Sequence, residues 1–160
     1  MKMPNPFTTV LMMLLMQCSP KDPLATMPNF TIVFADSTIG STAQLEHGKP
    51  YLLIHFDASC KGCQEETDTL IKYMDKMNNV NLLFLTVQDL ESVRLYQRYF
   101  KLERFKNVTV AFDRDSSLAK HFGTATTPLL AIYDRNKNLR GVFEGQADMQ
   151  KLLATVKEIQ

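Results

Sequence analysis

Two cysteines separated by two residues, Cys60 and Cys63, are the residues of this sequence best suited to chemistry. The thiolate is the nucleophile of disulfide exchange, and a free cysteine is mostly protonated at neutral pH. The apolar run 51–54 precedes the pair, and a helical pattern follows at once. We therefore expect Cys60 at the amino end of a helix, where unpaired N–H groups and the helix dipole favour its thiolate. Cys60 is predicted to attack a partner disulfide, and Cys63, one turn further along, to resolve the mixed disulfide.

Two other roles for the pair are weaker. A structural disulfide that closes so short a loop constrains the unfolded chain very little. A zinc or copper site would need further ligands, but no histidine lies at ligand spacing and the one remaining cysteine, Cys18, is far away in sequence. We therefore expect no metal and no cofactor other than a redox-active Cys60–Cys63 disulfide.

The rest of the chain alternates between strand and helix patterns around this dithiol. The predicted strands cover residues 30–34, 51–56, 80–87, 107–112, 129–133 and 139–144, with a short extra strand before residue 48. The predicted helices cover 60–77, 90–100 and 148–159, with a short helix capped by Asp115 or Ser116 and closed by Gly123. This order predicts an α/β domain with a mixed central sheet flanked by helices and an N-terminal β extension.

The first residues form a separate unit. Lys2 is followed by a run without charges, residues 7–16, which is too short to span a bilayer as a helix but suits the core of a signal peptide. The run ends just before Cys18, as in a bacterial lipoprotein signal, although Gln17 replaces the usual small residue. An ordinary cleaved signal and an uncleaved anchor are the alternatives.

We accordingly predict a signal peptide over residues 1–17, a lipidated Cys18, a proline-rich tether over 18–28 and a single domain over 29–160. The protein would then lie in the cell envelope, facing the periplasm, either lipid-anchored or secreted. Its 18 basic and 17 acidic residues balance, so the composition gives no sign of nucleic-acid binding.

A Thr-Pro pair, Thr127-Pro128, precedes the predicted strand 129–133. Together with the strand, the Cys-x-x-Cys pair and the helix, it makes residues 28–158 resemble the thioredoxin family. The leader and the Gly48-Lys49-Pro50 step are most similar to its exported TlpA/ResA-like branch of thiol-disulfide oxidoreductases. The chain departs from the family in having no tryptophan, with Ser59 before the first cysteine and Gly62 before the second.

The resemblance implies roles for further residues. Pro128 matches the family's cis-proline beside the disulfide, and the backbone of Thr127 would pair with substrate. Lys61 and Gly62, between the cysteines, would also face substrate, and Lys61 would favour the Cys60 thiolate. Glu66 falls where this branch often has an acidic residue, with a solvated surface charge as the alternative.

His55 lies in the predicted strand 51–56, about where thioredoxins carry a buried acid that assists proton transfer. A proton-relay role is one interpretation. The other is a hydrogen-bonded histidine of the core.

The resemblance favours reduction of protein disulfides, for instance in cytochrome c maturation or cysteine repair, with electrons from a membrane thiol protein. Oxidation or isomerisation of disulfides would use the same residues. A non-catalytic binding module whose dithiol tunes a partner interaction is the competing class. A peroxidase of the same superfamily would need a Pro-x-x-x-Thr-x-x-Cys arrangement, which the sequence lacks.

Overall fold

The computed structural model describes residues 22–159 of the 160-residue chain. The predicted signal peptide, 1–17, and the predicted lipidation site Cys18 lie outside the described residues and stay predictions. No helix in the part of the chain that the structure describes has the length and apolar character needed to cross a membrane.

One mixed sheet flanked by helices makes up the described part, which confirms the predicted fold class. Its strands are β1 (Thr31–Phe34), β2 (Ile39–Ser41), β3 (Tyr51–His55), β4 (Asn81–Thr86), β5 (Val108–Phe112), β6 (Leu129–Tyr133) and β7 (Leu139–Glu144). Its helices are α1 (Lys61–Lys72), α2 (Leu90–Tyr99), α3 (Ser117–Phe122) and α4 (Met149–Ile159).

The strand order, β2-β1-β5-β4-β3-β6-β7, places β3 inside the sheet. All five residues of β3 are buried, as expected for a strand without polar alternation. β3 runs parallel to β4 and antiparallel to β6, with His55 opposite Leu129. Because β3 ends where β6 begins, the loop that carries Cys60 meets the residues just before β6, which include Pro128.

Two hydrophobic clusters cover the two faces of the sheet. Alternate residues of β3 belong to different clusters: Leu52 and Ile54 to one, Tyr51 and Leu53 to the other. The first cluster also contains buried residues of α1, α2 and α4, and the second contains Leu118 of α3. The dithiol helix α1 therefore shares one hydrophobic cluster, on one face of the sheet, with α2 and α4.

The helix after the cysteines is shorter than the predicted 60–77. α1 ends at Lys72, and a 3-10 turn, Met74–Met77, follows it. Met74 and Met77 are buried, so this part of the predicted helix still faces the core although its backbone forms a 3-10 turn. The side chain of Asn107 donates to the carbonyls of Met77 and Val80 and so stabilises the tighter turn.

The cap of α3 also differs from the prediction. Ser116 occupies the N-cap position with φ 54° but forms no side-chain cap. Asp113, which is fully buried, accepts hydrogen bonds from the N–H groups of Ser117 and Leu118, each at 2.9 Å. Gly123 ends the helix in the left-handed region, as predicted.

The segment predicted as a tether is partly fixed to the domain. Met27 N–H donates to the carbonyl of Lys137 at 2.9 Å, and Leu139 N–H donates to the carbonyl of Ala25 at 2.8 Å. Backbone pairing with the β6–β7 hairpin therefore begins at Ala25, three residues before the predicted end of the tether. The division at residues 17 and 18 stays a prediction.

Candidate active site

The loop between β3 and α1 positions the first cysteine. Asp57 Oδ1 accepts hydrogen bonds from the N–H and hydroxyl of Ser59 at 2.7 and 2.6 Å. The N–H of Cys60 donates to the carbonyl of Asp57 at 3.1 Å. Gln88, in the loop after β4, accepts from Ala58 N–H at 2.9 Å. The loop is thus stabilised by hydrogen bonds within itself and by one hydrogen bond to the loop that follows β4.

Cys60 is the N-cap residue of α1, and its sulfur serves as the cap. Its Sγ accepts a hydrogen bond from the N–H of Cys63 at 3.3 Å, which satisfies one of the free donors of the first turn. Hydrogen bonding with the Cys63 thiol, reinforced by that N–H, lowers the pKa of Cys60, although partial burial opposes it. Cys60 is partly exposed and is a free thiol. It therefore combines access to solvent with a favoured thiolate.

Cys63 has the opposite character. It is also a free thiol, but only 1% of it is exposed. Burial, and secondly its hydrogen bond with Cys60, raise the pKa of Cys63 to about 12. It therefore stays protonated at neutral pH while Cys60 is poised to ionise, which is the asymmetry expected of an attacking and a resolving thiol.

Thr127 and Pro128 lie against the dithiol. The peptide bond between them is cis. The Cys60 thiol donates to the carbonyl of Thr127 at 3.7 Å. A Cβ on Gly62 would lie 3.7 Å from Pro128 Cδ and 3.8 Å from Cys60 Sγ, so Gly62 faces both. The structure thus brings these residues together, and their contacts with substrate stay predictions.

Glu66 is buried, with only 2% exposed, which rules out the solvated surface charge considered above. Its Oε2 accepts from the N–H of Ala147, in the β7–α4 loop, at 3.0 Å, and its Oε1 has no hydrogen-bond partner among residues 22–159. Burial raises the pKa of Glu66. A carboxyl with one free oxygen therefore lies one helical turn beyond Cys63.

His55 is buried, as both interpretations required, but it does not share the face of Cys63. Because successive side chains of a strand point to opposite faces of the sheet, His55 lies on the same face as Leu53 and its β4 partner Leu85, which is the α3 side. Among the described residues its Nδ1 has no hydrogen-bond partner, but a backbone hydrogen bond with Leu85 is present, so the hydrogen-bonded core histidine is not contradicted. Burial lowers the pKa of His55. Its relay role stays a prediction.

Lys61 points into solvent, with 88% of its side chain exposed. Its Nζ lies 3.5 Å from Oε1 of Glu65, which is half exposed. An exposed ion pair of this kind contributes little energy. Because Glu65 offsets the charge of Lys61, the predicted support of the Cys60 thiolate by Lys61 is weak.

A buried hydrogen-bond network around the carbonyl of Cys63 was not predicted from the sequence. The hydroxyls of Thr67 and Tyr96 each donate to this carbonyl, at 3.0 and 3.1 Å, and lie 2.7 Å from each other. Tyr96 belongs to α2 and stacks on Phe56 with ring centroids 4.1 Å apart. The network joins α2 to the resolving cysteine. The predicted helix over residues 90–100 contains Tyr96, but a helical pattern does not show which polar group its hydroxyl meets.

The profile of the Redoxin family matches residues 23–158 of the chain. A putative thioredoxin from Neisseria meningitidis is 27% identical, with a TM-score of 0.68 over 84% of this chain and 89% of that one. Mycobacterium tuberculosis DsbF, in mixed oxidised and reduced forms, is 20% identical, with a TM-score of 0.69 over 86% and 97%.

A secreted disulfide oxidoreductase of Mycobacterium tuberculosis, homologous to DsbE of E. coli, is 17% identical. Its TM-score is 0.66 over 81% of this chain and 95% of that one. A search of curated protein sequences found no match.

Proposed function

This chain belongs to the redoxin family and is a thiol-disulfide oxidoreductase, and we propose that it reduces protein disulfides from a membrane-anchored position in the cell envelope. Membership confirms the predicted thioredoxin superfamily, while the exported TlpA/ResA-like branch stays a prediction. The observation that carries the exchange chemistry is the asymmetry of the dithiol: Cys60 is accessible with a lowered pKa, and Cys63 is buried with a pKa of about 12.

The reaction begins when the Cys60 thiolate attacks one sulfur of a substrate disulfide. A bond forms between the two sulfurs, and the other substrate sulfur leaves as a thiolate and takes a proton. Cys63 then attacks Cys60 Sγ, which releases the second substrate thiol and leaves the Cys60–Cys63 disulfide. The substrate is reduced by two electrons and the dithiol is oxidised by two.

Formation of the mixed disulfide itself favours ionisation of Cys63. Both the hydrogen bond with Cys60 and the charge of the Cys60 thiolate raise the pKa of Cys63. Once Cys60 is bonded to substrate, that charge is gone and only burial still strongly opposes ionisation. Glu66, on the same helix as Cys63, is the proposed acceptor of its proton because burial raises its pKa and one oxygen is free.

The proposed direction, reduction, is supported by the surroundings of Cys60. A strongly oxidising dithiol needs a reduced form that is stabilised as a thiolate. Within residues 22–159, the hydrogen bonds that lower the pKa of Cys60 come from Cys63, Thr127 and Gly62, and none of these residues is charged. Lys61 is exposed and paired with Glu65. The thiolate therefore receives modest support, which favours a low reduction potential.

The proposed location is supported by the leader, where Lys2 precedes the uncharged run 7–16 and Cys18 follows it. The Mycobacterium tuberculosis disulfide oxidoreductase that is homologous to DsbE, a structure of similar fold, is a secreted protein. A lipid on Cys18 would hold the domain at a membrane, where a membrane thiol protein would return electrons to the Cys60–Cys63 disulfide.

Insulin reduction with dithiothreitol as electron source tests the activity. Wild type should catalyse it, Cys60→Ser should abolish it, and Cys63→Ser should accumulate a mixed disulfide with insulin. Cys18→Ala is the matched control: it should keep the activity of wild type but move from the membrane to the soluble fraction. An inactive reduced wild type would refute reduction, and an unmodified, soluble Cys18 would refute the anchor.

A further inference from the structure

An apolar cleft lies beside the dithiol, between α1 and α2. Its volume is about 300 Å³, and it is lined by Ala58, Gln64, Leu95, Tyr96, Tyr99 and Phe100. None of the described residues that line it is charged. The reaction described above uses none of its side chains as a reactant. A surface of this composition accepts an uncharged, apolar group.

Two exposed large apolar side chains line this cleft. Leu95 is 53% and Tyr99 is 77% exposed, and both project from α2. Val87, which is 42% exposed, lies in the loop that Gln88 joins to Ala58. Single apolar residues on a surface need no explanation, but a grouped set marks an interaction site. Tyrosine in particular is enriched where proteins bind partners.

The floor and rim of the cleft are held in place by buried contacts. Tyr96 stacks on both Phe56 and Phe100, with ring centroids 4.1 and 4.6 Å apart, and its hydroxyl donates to the carbonyl of Cys63. At the rim, Gln64 Nε2 donates to the carbonyl of Ala58 at 2.8 Å. The cleft is therefore preformed, which lowers the entropic cost of filling it.

We propose that this cleft is a substrate subsite that binds a large apolar side chain, aromatic or aliphatic, close to the disulfide cysteine that Cys60 attacks. The proposal rests on the proposed function, because it needs Cys60 to be the nucleophile. The cleft is continuous with that reactive surface: Ala58 lies two residues before Cys60, and Gln64 lies four residues after it, one helical turn along α1.

The distances fit a short peptide. One turn of helix rises about 5.4 Å, and an extended chain covers about 3.3 Å per residue. A substrate cysteine bonded to Cys60 would thus place the side chain of a residue one to three positions away over the cleft. The protein would prefer disulfides whose cysteines have an apolar neighbour.

The test measures attack by Cys60 in a Cys63→Ser background. The probes are short peptides whose single cysteine carries thionitrobenzoate, with phenylalanine placed one to three residues before or after it, and matched peptides with serine instead. Cys60 Sγ bonds to the peptide sulfur, the sulfur–sulfur bond of the probe breaks, and thionitrobenzoate leaves as a coloured thiolate. N-acetylcysteine as attacking thiol corrects for intrinsic reactivity, and Cys60→Ser/Cys63→Ser corrects for Cys18.

We expect a phenylalanine peptide to react about tenfold faster than its serine counterpart, the discrimination typical of a small apolar pocket. Leu95→Ala/Tyr99→Ala should remove most of this preference. Ile39→Ala, which truncates a side chain that is 70% exposed on β2, should keep it.

Equal rates for both peptides, or a preference that survives Leu95→Ala/Tyr99→Ala, would overturn the subsite. A preference that disappears as protein concentration rises would assign the cleft to a second copy of the chain instead. If no probe reacts through Cys60, the assigned nucleophile is wrong and the subsite fails with it. A clear preference combined with failure to reduce insulin would refute only the proposed direction.

Discussion

Removing the hydroxyl of Tyr96 should destabilise the protein measurably, because this hydroxyl joins α2 to the dithiol helix. The Tyr96 hydroxyl lies 3.1 Å from the Cys63 carbonyl and 2.7 Å from the Thr67 hydroxyl, and because it carries a single proton, Tyr96→Phe removes one donated hydrogen bond. A buried hydrogen bond contributes about 0.5–1.5 kcal/mol. The Thr67 hydroxyl keeps its bond to the Cys63 carbonyl at 3.0 Å, so it is not left unpaired. We therefore expect a loss of about 1 kcal/mol.

Urea unfolding measures this loss. With a denaturant slope of about 2 kcal/mol/M, the midpoint should fall by about 0.5 M with the slope unchanged. Tyr99→Phe is the matched control: Tyr99 lies on the same helix but is 77% exposed, and its midpoint should stay close to that of wild type. Combining Tyr96→Phe with Thr67→Val should cost an amount that differs from the sum of the single changes, since the two hydroxyls are in contact. Equal midpoints for Tyr96→Phe and Tyr99→Phe would refute the reasoning.

Three further results are expected. Mass-mapped alkylation of the reduced protein should label Cys60 below about pH 8.5, the ordinary thiol pKa, and spare Cys63, whose pKa is about 12; equal labelling would contradict the asymmetry. Burial raises the pKa of the Glu66 carboxyl in the folded state. The protonated carboxyl therefore stabilises the fold at pH values below the pKa of the unfolded chain, and this stabilisation is lost as the pH rises through the folded-state pKa. The stability of Glu66→Gln relative to wild type should therefore rise between pH 4 and neutral pH, and the same difference at both pH values would count against this account. Gly62→Ala should raise the unfolding free energy by about 0.5–1 kcal/mol, since its Cβ meets Pro128 and Cys60 Sγ at ordinary contact distances. The variant should nevertheless slow insulin reduction. A less stable variant would contradict the ordinary contacts, and a fully active one would argue against substrate passing there.

The parts of the site that the sequence could predict depend on local pattern. The unbroken apolar run of β3 and the helical stripe after it place Cys60 at a strand–helix junction, and the structure has it there. Gly123 likewise ends α3 because a left-handed residue is needed at that point. In these places the chemistry of a few neighbouring residues decides the outcome.

The parts that the sequence could not predict depend on contacts between distant segments. Glu66 is buried because the β7–α4 loop covers it through Ala147, which lies 81 residues away. Tyr96 reaches the Cys63 carbonyl across 33 residues. Asp113 replaces the predicted cap of α3 because it is the buried carboxylate that reaches the free N–H groups there. A periodic pattern shows which side of a helix faces inward, but not which polar group it meets.

The reduction potential of the Cys60–Cys63 pair tests the central claim most directly. The protein would be equilibrated in buffers of defined thiol–disulfide ratio, and its oxidised fraction measured by trapping free thiols and weighing the products. The account predicts one two-electron transition at about −270 mV, the value of a thioredoxin-like reductant, and no such transition in Cys63→Ser. A potential of about −120 mV, the value of a strong oxidant, would contradict it.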